Sequence, residues 1–265
     1  MTHPYSEEYS ELISSVKHAG TIALKYFKSD LKSWEKNPGD PVSEADLAID
    51  SYLKEHLLTT HPDYGWLSEE TADNPARLDK SRVWIIDPID GTRSFIAGKP
   101  EFTVSAALVE DGKPVCAVVF NPVTEEFYES VVGNGSFLNG QKLTCSLNDN
   151  LKDTKLLASK KAFEWHKWLS DAPDADFSHL NSIAYRIAKV ASCDFDASLS
   201  LSPKSDWDIA AADLILSEAG GISTTTKGEP LVYNQKIPIH GTVISSGTAL
   251  HPALMDLLKD FTPKS

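Results

Sequence analysis

The chain has 265 residues, 41% hydrophobic and 24% charged, which suits one large domain or two packed halves and excludes a disordered chain. Its 38 acidic residues against 25 basic ones leave a formal charge of −13, unfavourable for nucleic acid or anionic lipid without a concentrated basic patch, and the sequence shows none. No apolar run approaches the ~20 residues of a membrane helix. The N-terminus, MTHPYSEEYSELI, is polar and acidic where a secretion signal is basic and then apolar. Cys116, Cys145 and Cys193 lie far apart without zinc or disulfide spacing, so a reducing cytoplasm is expected.

In chain order, residues 6–29 carry a helical apolar stripe through Leu12, Ile13, Val16, Ala19, Ile22, Ala23, Tyr26 and Phe27. Asn37-Pro38-Gly39-Asp40-Pro41 is a loop by composition. A second helix is predicted to start at Ser43 and to stop before Pro62. Val83-Trp84-Ile85-Ile86 reads as a buried strand ended by Asp87-Pro88. Three strand-like runs from Phe102 to Val132, broken at Glu110-Asp111-Gly112-Lys113 and Asn121-Pro122-Val123-Thr124, predict an antiparallel meander. Beyond about residue 150 shorter strands alternate with helices near 160–170, 183–192, 209–219 and 252–258. The order predicts an α+β, layered α-β-α-β-α sandwich. Its N-terminal lobe (about 1–150) holds an antiparallel sheet with two long helices, and its C-terminal lobe (151–265) is mixed α/β.

The strongest local feature is Asp87-Pro88-Ile89-Asp90-Gly91-Thr92, directly after the buried strand. By itself it reads equally well as a turn, since Pro, Asp and Gly are common turn residues. Its place at the carboxyl end of a strand is also where ligands collect in open α/β sheets. Two carboxylates ~4 Å apart repel by about 4 kcal/mol at an effective dielectric of ~20, and a shared cation removes that cost. Further acids lie at Ser68-Glu69-Glu70 and at Ser205-Asp206-Trp207-Asp208. The latter, like Ser43-Glu44-Ala45-Asp46, also reads as a helix-capping box.

Together these segments resemble the inositol monophosphatase family. The likeness is carried by Lys36 with Val42-Ser43-Glu44-Ala45-Asp46, by Ser68-Glu69-Glu70, by Asp87-Pro88-Ile89-Asp90-Gly91-Thr92 and by Trp207-Asp208. It extends to Gly133-x-Gly135-x-Phe137-x-Asn139-Gly140, Val190-Ala191, Asp196-Ala197 and Glu218-Ala219-Gly220-Gly221, spanning roughly residues 10–258. The resemblance implies a Mg²⁺-dependent, lithium-sensitive phosphatase that works as a homodimer on a small phosphorylated substrate. By it, Glu69, Asp87 and the carbonyl of Ile89 hold a first Mg²⁺, and Asp87, Asp90 and Asp208 a second. A third ion is weaker, and Mn²⁺ is an accepted substitute. Asp46 and Thr92 then position and activate the attacking water, Gly91 and Thr92 bind phosphate, Asp90 and Asp208 also contact substrate, and Lys36 lies on a mobile loop over the site.

For the substrate, the resemblance implies myo-inositol monophosphate. The stretch Asp196 to Lys204 lacks the Glu that inositol-specific relatives carry there, and has an apparent one-residue insertion. Arg186 sits where a 3′(2′),5′-bisphosphate nucleotidase would bind a second phosphate, although a helix-face charge explains it equally well. A metal-stabilised binding protein without activity is the reading from a different class. Gly135 to Lys142 fails as a nucleotide-binding P-loop, because Gln141 stands where that pattern needs Lys, and a hairpin turn is expected instead. Trp165-His166-Lys167-Trp168 is expected to be structural.

Overall fold

The computed structural model describes residues 3–158, 175–259 and 261. The helix expected near 160–170 and the Trp165–Trp168 segment lie outside the described residues. Helix α1 (Ser6–Tyr26) buries Leu12, Val16, Ala19 and Ala23, the predicted stripe. A short hairpin of β1 (Ser33–Asn37) and β2 (Asp40–Ser43) leads into α2 (Glu44–Thr60). Ser43 caps α2: its hydroxyl accepts from the Ala45 N–H at 3.3 Å, and Asp46 Oδ2 accepts from the Ser43 N–H at 2.9 Å. That reciprocal pairing satisfies helix-start donors, as the Ser43-x-x-Asp46 spacing predicts.

A seven-stranded sheet follows: β3 (Gly65–Ser68), β4 (Arg82–Asp90), β5 (Thr103–Glu110), β6 (Lys113–Asn121), β7 (Glu126–Val131), β8 (Ser136–Leu138) and β9 (Gln141–Lys142), hydrogen-bonded in that order. The meander from β5 to β7 is antiparallel as expected, and Asn139-Gly140 turns the β8–β9 hairpin with both residues at positive φ. One pair departs from the antiparallel expectation: β3 runs parallel to β4. Residues 69–81 make the long crossover that a parallel pair requires, with a 3₁₀ turn at Pro75–Asp79.

Strand β4 also outlasts its predicted end. It runs through Asp87 and Asp90, where the ladder is irregular: Asp87 opposes Ser105 and Asp90 opposes Thr103, three steps on β4 against two on β5. In a regular strand, residues three apart face opposite sides. One extra residue, a bulge, returns both aspartates to one side. Pro88 fits there because it has no N–H to contribute to the ladder.

A five-layer arrangement results. Helices α1 and α2 bury Leu12, Val16, Ile49 and Leu53 with Trp84 and Val104 on one face of the sheet. After α3 (Thr92–Ile96), the opposite face packs against α4 (Ile183–Ala191) and α5 (Asp206–Glu218), through Ile187, Ile209 and Ile215 with Ile85 and Ala107. The second sheet contains β10 (Lys155–Leu157), β11 (Asp176–Ser178), β12 (Ala197–Ser200), β14 (Gly221–Thr224) and β16 (Val243–Gly247), in the order β11-β10-β12-β16-β14; β13 (Lys204–Ser205) pairs separately with β15 (Ile239–His240). Its outer face carries α6 (His251–Leu258) through Leu254 and Leu258. The α-β-α-β-α layering is therefore the one expected. No described helix is long and apolar enough to cross a membrane.

Gly20 of α1 shows how closely the outer helix is seated. A Cβ at this position would lie 2.3 Å from Phe120 Cε1 and 3.2 Å from Pro122 Cβ. Alanine is a better helix former by about 1 kcal/mol, while overpacking costs roughly 1–3 kcal/mol. Phe120 is itself held edge-on against Phe127, so it cannot retreat freely. Gly20→Ala is expected to lower the melting temperature by a few degrees; a rise in calorimetry would show that Phe120 moves aside without cost.

Candidate active site

The β4 bulge, the start of α3, the end of β3 and the start of α5 meet around one open cleft. Glu69, Asp87, Ile89, Asp90, Gly91, Thr92 and Asp208 all line it, drawn from segments far apart in the chain. Oxygens of Asp87, Asp90 and Asp208 lie within 4.8 Å of one another. Two of the three are oriented by hydrogen bonds. Asp90 Oδ2 accepts hydrogen bonds from Ser182 Oγ and the Ala184 N–H, both at 2.6 Å, which ties β4 to the start of α4. Asp208 Oδ2 accepts from the Ser205 N–H at 2.8 Å. The Ser205-x-x-Asp208 pattern is thus both a helix cap and a cleft wall. Asp87 is 1% exposed, and its Oδ1 has no hydrogen-bond partner.

Burial raises the pKa of every member of this group, because a carboxylate loses hydration there. Asp87 is pushed well up by burial and then by Glu69, Asp90 and Asp208 around it. Asp90 rises to about 6 through burial, against the hydrogen bonds from Ser182 and Ala184. Asp208 rises to about 7 through burial and the nearby Asp90. Clustered, buried and partly unpartnered carboxylate oxygens are a donor set suited to a hard divalent cation. The orphaned Asp87 Oδ1 is the observation that favours that fit.

Asp46 lies behind the cleft wall, 1% exposed, with Oδ1 3.2 Å from Thr92 Oγ1. Burial raises it to about 6, with the Ser43 hydrogen bonds opposing. Thr92 Oγ1 is also 2.9 Å from the Ile89 carbonyl, so its single proton lies between two acceptors. Gly91 adopts φ +97°, and a Cβ there would meet the Glu101 carbonyl at 2.8 Å. Only glycine accommodates both the conformation and the contact.

Two predicted residues are placed differently from the cluster. Lys36 on β1 donates to Glu69 Oε1 at 3.0 Å and Glu70 Oε1 at 2.9 Å, so the hairpin is latched to the end of β3. Arg186 is 6% exposed, its Nε lacks a hydrogen-bond partner, and it is not part of the cleft wall. Burial lowers the pKa of its guanidinium, and the charges of Asp90 and Asp208 oppose that shift. Conversely, Asp40, Arg93, Asn181 and Lys204 line the cleft without having been singled out as site residues from sequence. The apparent insertion within Asp196 to Lys204 was the available signal for Lys204.

Comparisons with known proteins agree with this arrangement. The model of the inositol monophosphatase family matches residues 5–260. The inositol-1-monophosphatase of Rhizobium meliloti (strain 1021) is 34% identical over 229 residues, 82% of this chain and 85% of that protein. The 3′(2′),5′-bisphosphate nucleotidase CysQ of Aggregatibacter actinomycetemcomitans is 30% identical over 234 residues, covering 85% of this chain and 87% of that protein. The crystal structure of the extragenic suppressor protein suhB from Bartonella henselae superposes with a TM-score of 0.85 at 25% identity, covering 97% of this chain and 100% of that one. With the match running nearly end to end and the fold shared, the chain belongs to the inositol monophosphatase family and is a phosphatase.

Proposed function

We propose that the chain is a Mg²⁺-dependent phosphomonoesterase, an assignment carried above all by the converging oxygens of Asp87, Asp90 and Asp208. Glu69, Asp87 and the Ile89 carbonyl would hold one ion, and Asp87, Asp90 and Asp208 a second. When bound, such ions lower the pKa of water towards ~7 and neutralise charge on the departing ester oxygen. The protein's part is to orient and to manage one proton. Thr92 lines the cleft and Asp46 stands 3.2 Å behind its hydroxyl, and together they would receive the proton of the attacking water. The N–H groups of Gly91 and Thr92, at the start of α3, would hold phosphate oxygens. Ser182 and Ala184 keep Asp90 in place, where it would contact metal and substrate.

The substrate is a small phosphorylated metabolite. Kinship with proteins named inositol monophosphatase favours myo-inositol monophosphate, while the CysQ likeness and the cations on the cleft rim favour a 3′(2′),5′-bisphosphate nucleotide. Inhibition by Li⁺, a homodimer and a cytoplasmic setting go with this reading on family likeness alone. Purified protein is expected to release phosphate from one or both substrates with Mg²⁺ and to stop in excess chelator. Absence of turnover on any phosphomonoester at saturating Mg²⁺ would show a binding protein instead.

A further inference from the structure

The 69–81 crossover contributes to a second pocket, which shares no lining residue with the acidic cleft. Lys54 and Leu58 line it from α2, Tyr64 and Trp66 from the entry to β3, and Ala76 and Lys80 from the crossover. Its walls hold three basic residues, Lys54, Arg77 and Lys80, and no acid, in a chain with 13 more acids than bases. Arg77 is committed elsewhere, donating to Asp73 at 2.7 Å and to Asn234 at 2.6 Å. The ammonium groups of Lys54 and Lys80 meet no hydrogen-bond or ion-pair partner among the described residues. Asp50, one helical turn before Lys54, is already engaged, because its two oxygens accept from Ser68 Oγ at 2.5 Å and from Thr71 Oγ1 at 2.6 Å. Three buried ring nitrogens, of His61, Trp66 and Trp84, lack a partner, and Trp66 is the one of these residues that lines the pocket. A buried donor left unmade costs about 1–3 kcal/mol, so the Trp66 indole N–H is short of an acceptor.

We propose that this pocket is a second ligand site, for a small aromatic anion such as an aryl carboxylate, separate from the catalytic cleft. The polar groups it leaves open are donors: two ammonium groups, the Trp66 indole and the Asn74 amide N–H₂, whose own oxygen accepts from the Ala76 N–H at 3.1 Å. Thr71, also in the wall, gives its proton to Asp50. Donors unaccompanied by carboxylates complement an anion and offer a cation nothing to bind. Much of the remaining wall is apolar, with Leu58 and Ala76 beside the rings of Tyr64 and Trp66. Tyr64 is itself stacked on His61 with centroids 4.8 Å apart, which steadies its ring. Aromatic rings favour flat partners through offset and edge contacts. An apolar lining with a few convergent polar groups is the usual make-up of a small-molecule site. Binding there requires neither a metal nor any residue of the acidic cluster.

The test titrates the intact ¹⁵N-labelled protein, in chelator, with 2-naphthoate and with its neutral counterpart 2-naphthamide. The chain has 6 tryptophans, and the indole N–H resonance lost in Trp66→Phe marks this pocket. That resonance is expected to shift saturably with 2-naphthoate. The amide should bind roughly 10- to 100-fold more weakly, the loss typical of a charged hydrogen bond. Lys54→Met and Lys80→Met are each expected to weaken 2-naphthoate binding several-fold, and Asp90→Asn to leave it unchanged. Lys80 is exposed, so its variant is expected to fold even if Trp66→Phe does not, and calorimetry on the lysine variants then carries the comparison. No saturable binding, equal affinity for acid and amide, or affinities unchanged in both lysine variants would overturn the site. An affinity altered by Asp90→Asn would place the anion in the catalytic cleft and overturn it as well. Because no metal or turnover enters the measurement, each of these outcomes leaves the phosphomonoesterase reading to its own test.

Discussion

Replacing Asp90 by Asn is expected to lower kcat by on the order of 10³-fold or more, about 4 kcal/mol of transition-state stabilisation, while the fold persists. Asp90 is proposed to be shared between the second ion and the substrate, so one substitution removes charge from both. The amide oxygen of Asn still accepts from Ser182 and Ala184, which keeps α4 anchored to β4. Burial and its acidic neighbours make the charged form of Asp90 costly before a cation arrives. The variant's melting temperature in chelator should therefore equal or exceed that of the parent. Near-parental turnover in Asp90→Asn would show that the ligand assignment is wrong. A collapsed melting transition would show that the hydrogen bonds to α4 depend on full charge.

The second large effect is the coupling of metal, pH and stability. Asp46 and Asp90 titrate near 6, Asp208 and Glu70 near 7, and burial is the first cause in each case. These folded-state values lie above the unfolded ones near 4, so the folded protein binds more protons across the interval. Stability therefore declines as pH rises. Their contribution is fully present below about pH 4 and is lost as pH passes through 6 to 7. In chelator, the melting temperature is expected to fall between pH 5 and 7.5. Mg²⁺ at ~100 times its dissociation constant should add about 2.7 kcal/mol. That corresponds to a rise of roughly 5–10 °C for a chain of this size. The rise should be larger at pH 7.5 than at 5, because protons compete for the same oxygens. A melting temperature flat with pH and indifferent to Mg²⁺ would sink the proposal of a cation-binding cluster.

Sequence periodicity reveals the elements whose fate is decided locally. The stripe of α1, the Ser43 cap of α2 and the breaks of the β5–β7 meander follow from spacing, capping and turn chemistry, and all three are realised. Non-local pairing is a different matter. Nothing in Gly65–Ser68 announces that this strand runs parallel to β4 rather than entering a hairpin. The Asp87–Asp90 segment reads as a turn after a strand because its composition is that of a turn, yet the pairing with β5 continues through it. The cleft residues found by motif were those clustered in recognisable strings. Lys204 and Arg93 escaped because each is an ordinary basic residue until the fold places both at one opening. Arg186 shows the reverse: its position in sequence suggested substrate contact, whereas its side chain is buried and does not line the cleft.

The irregular pairing at Asp87–Asp90 has a consequence for how such sites tolerate change in chain length. Whether the two acids cooperate depends on parity, on an odd count of steps being converted to an even one by a single surplus residue. Regularising the ladder with every residue retained would send the two side chains to opposite surfaces, whereas a one-codon deletion between them would leave two regular steps and keep both on one side. What is constrained here is the parity of effective steps rather than their number, and Pro88 suits the irregular stretch because it has no donor to offer the neighbouring strand.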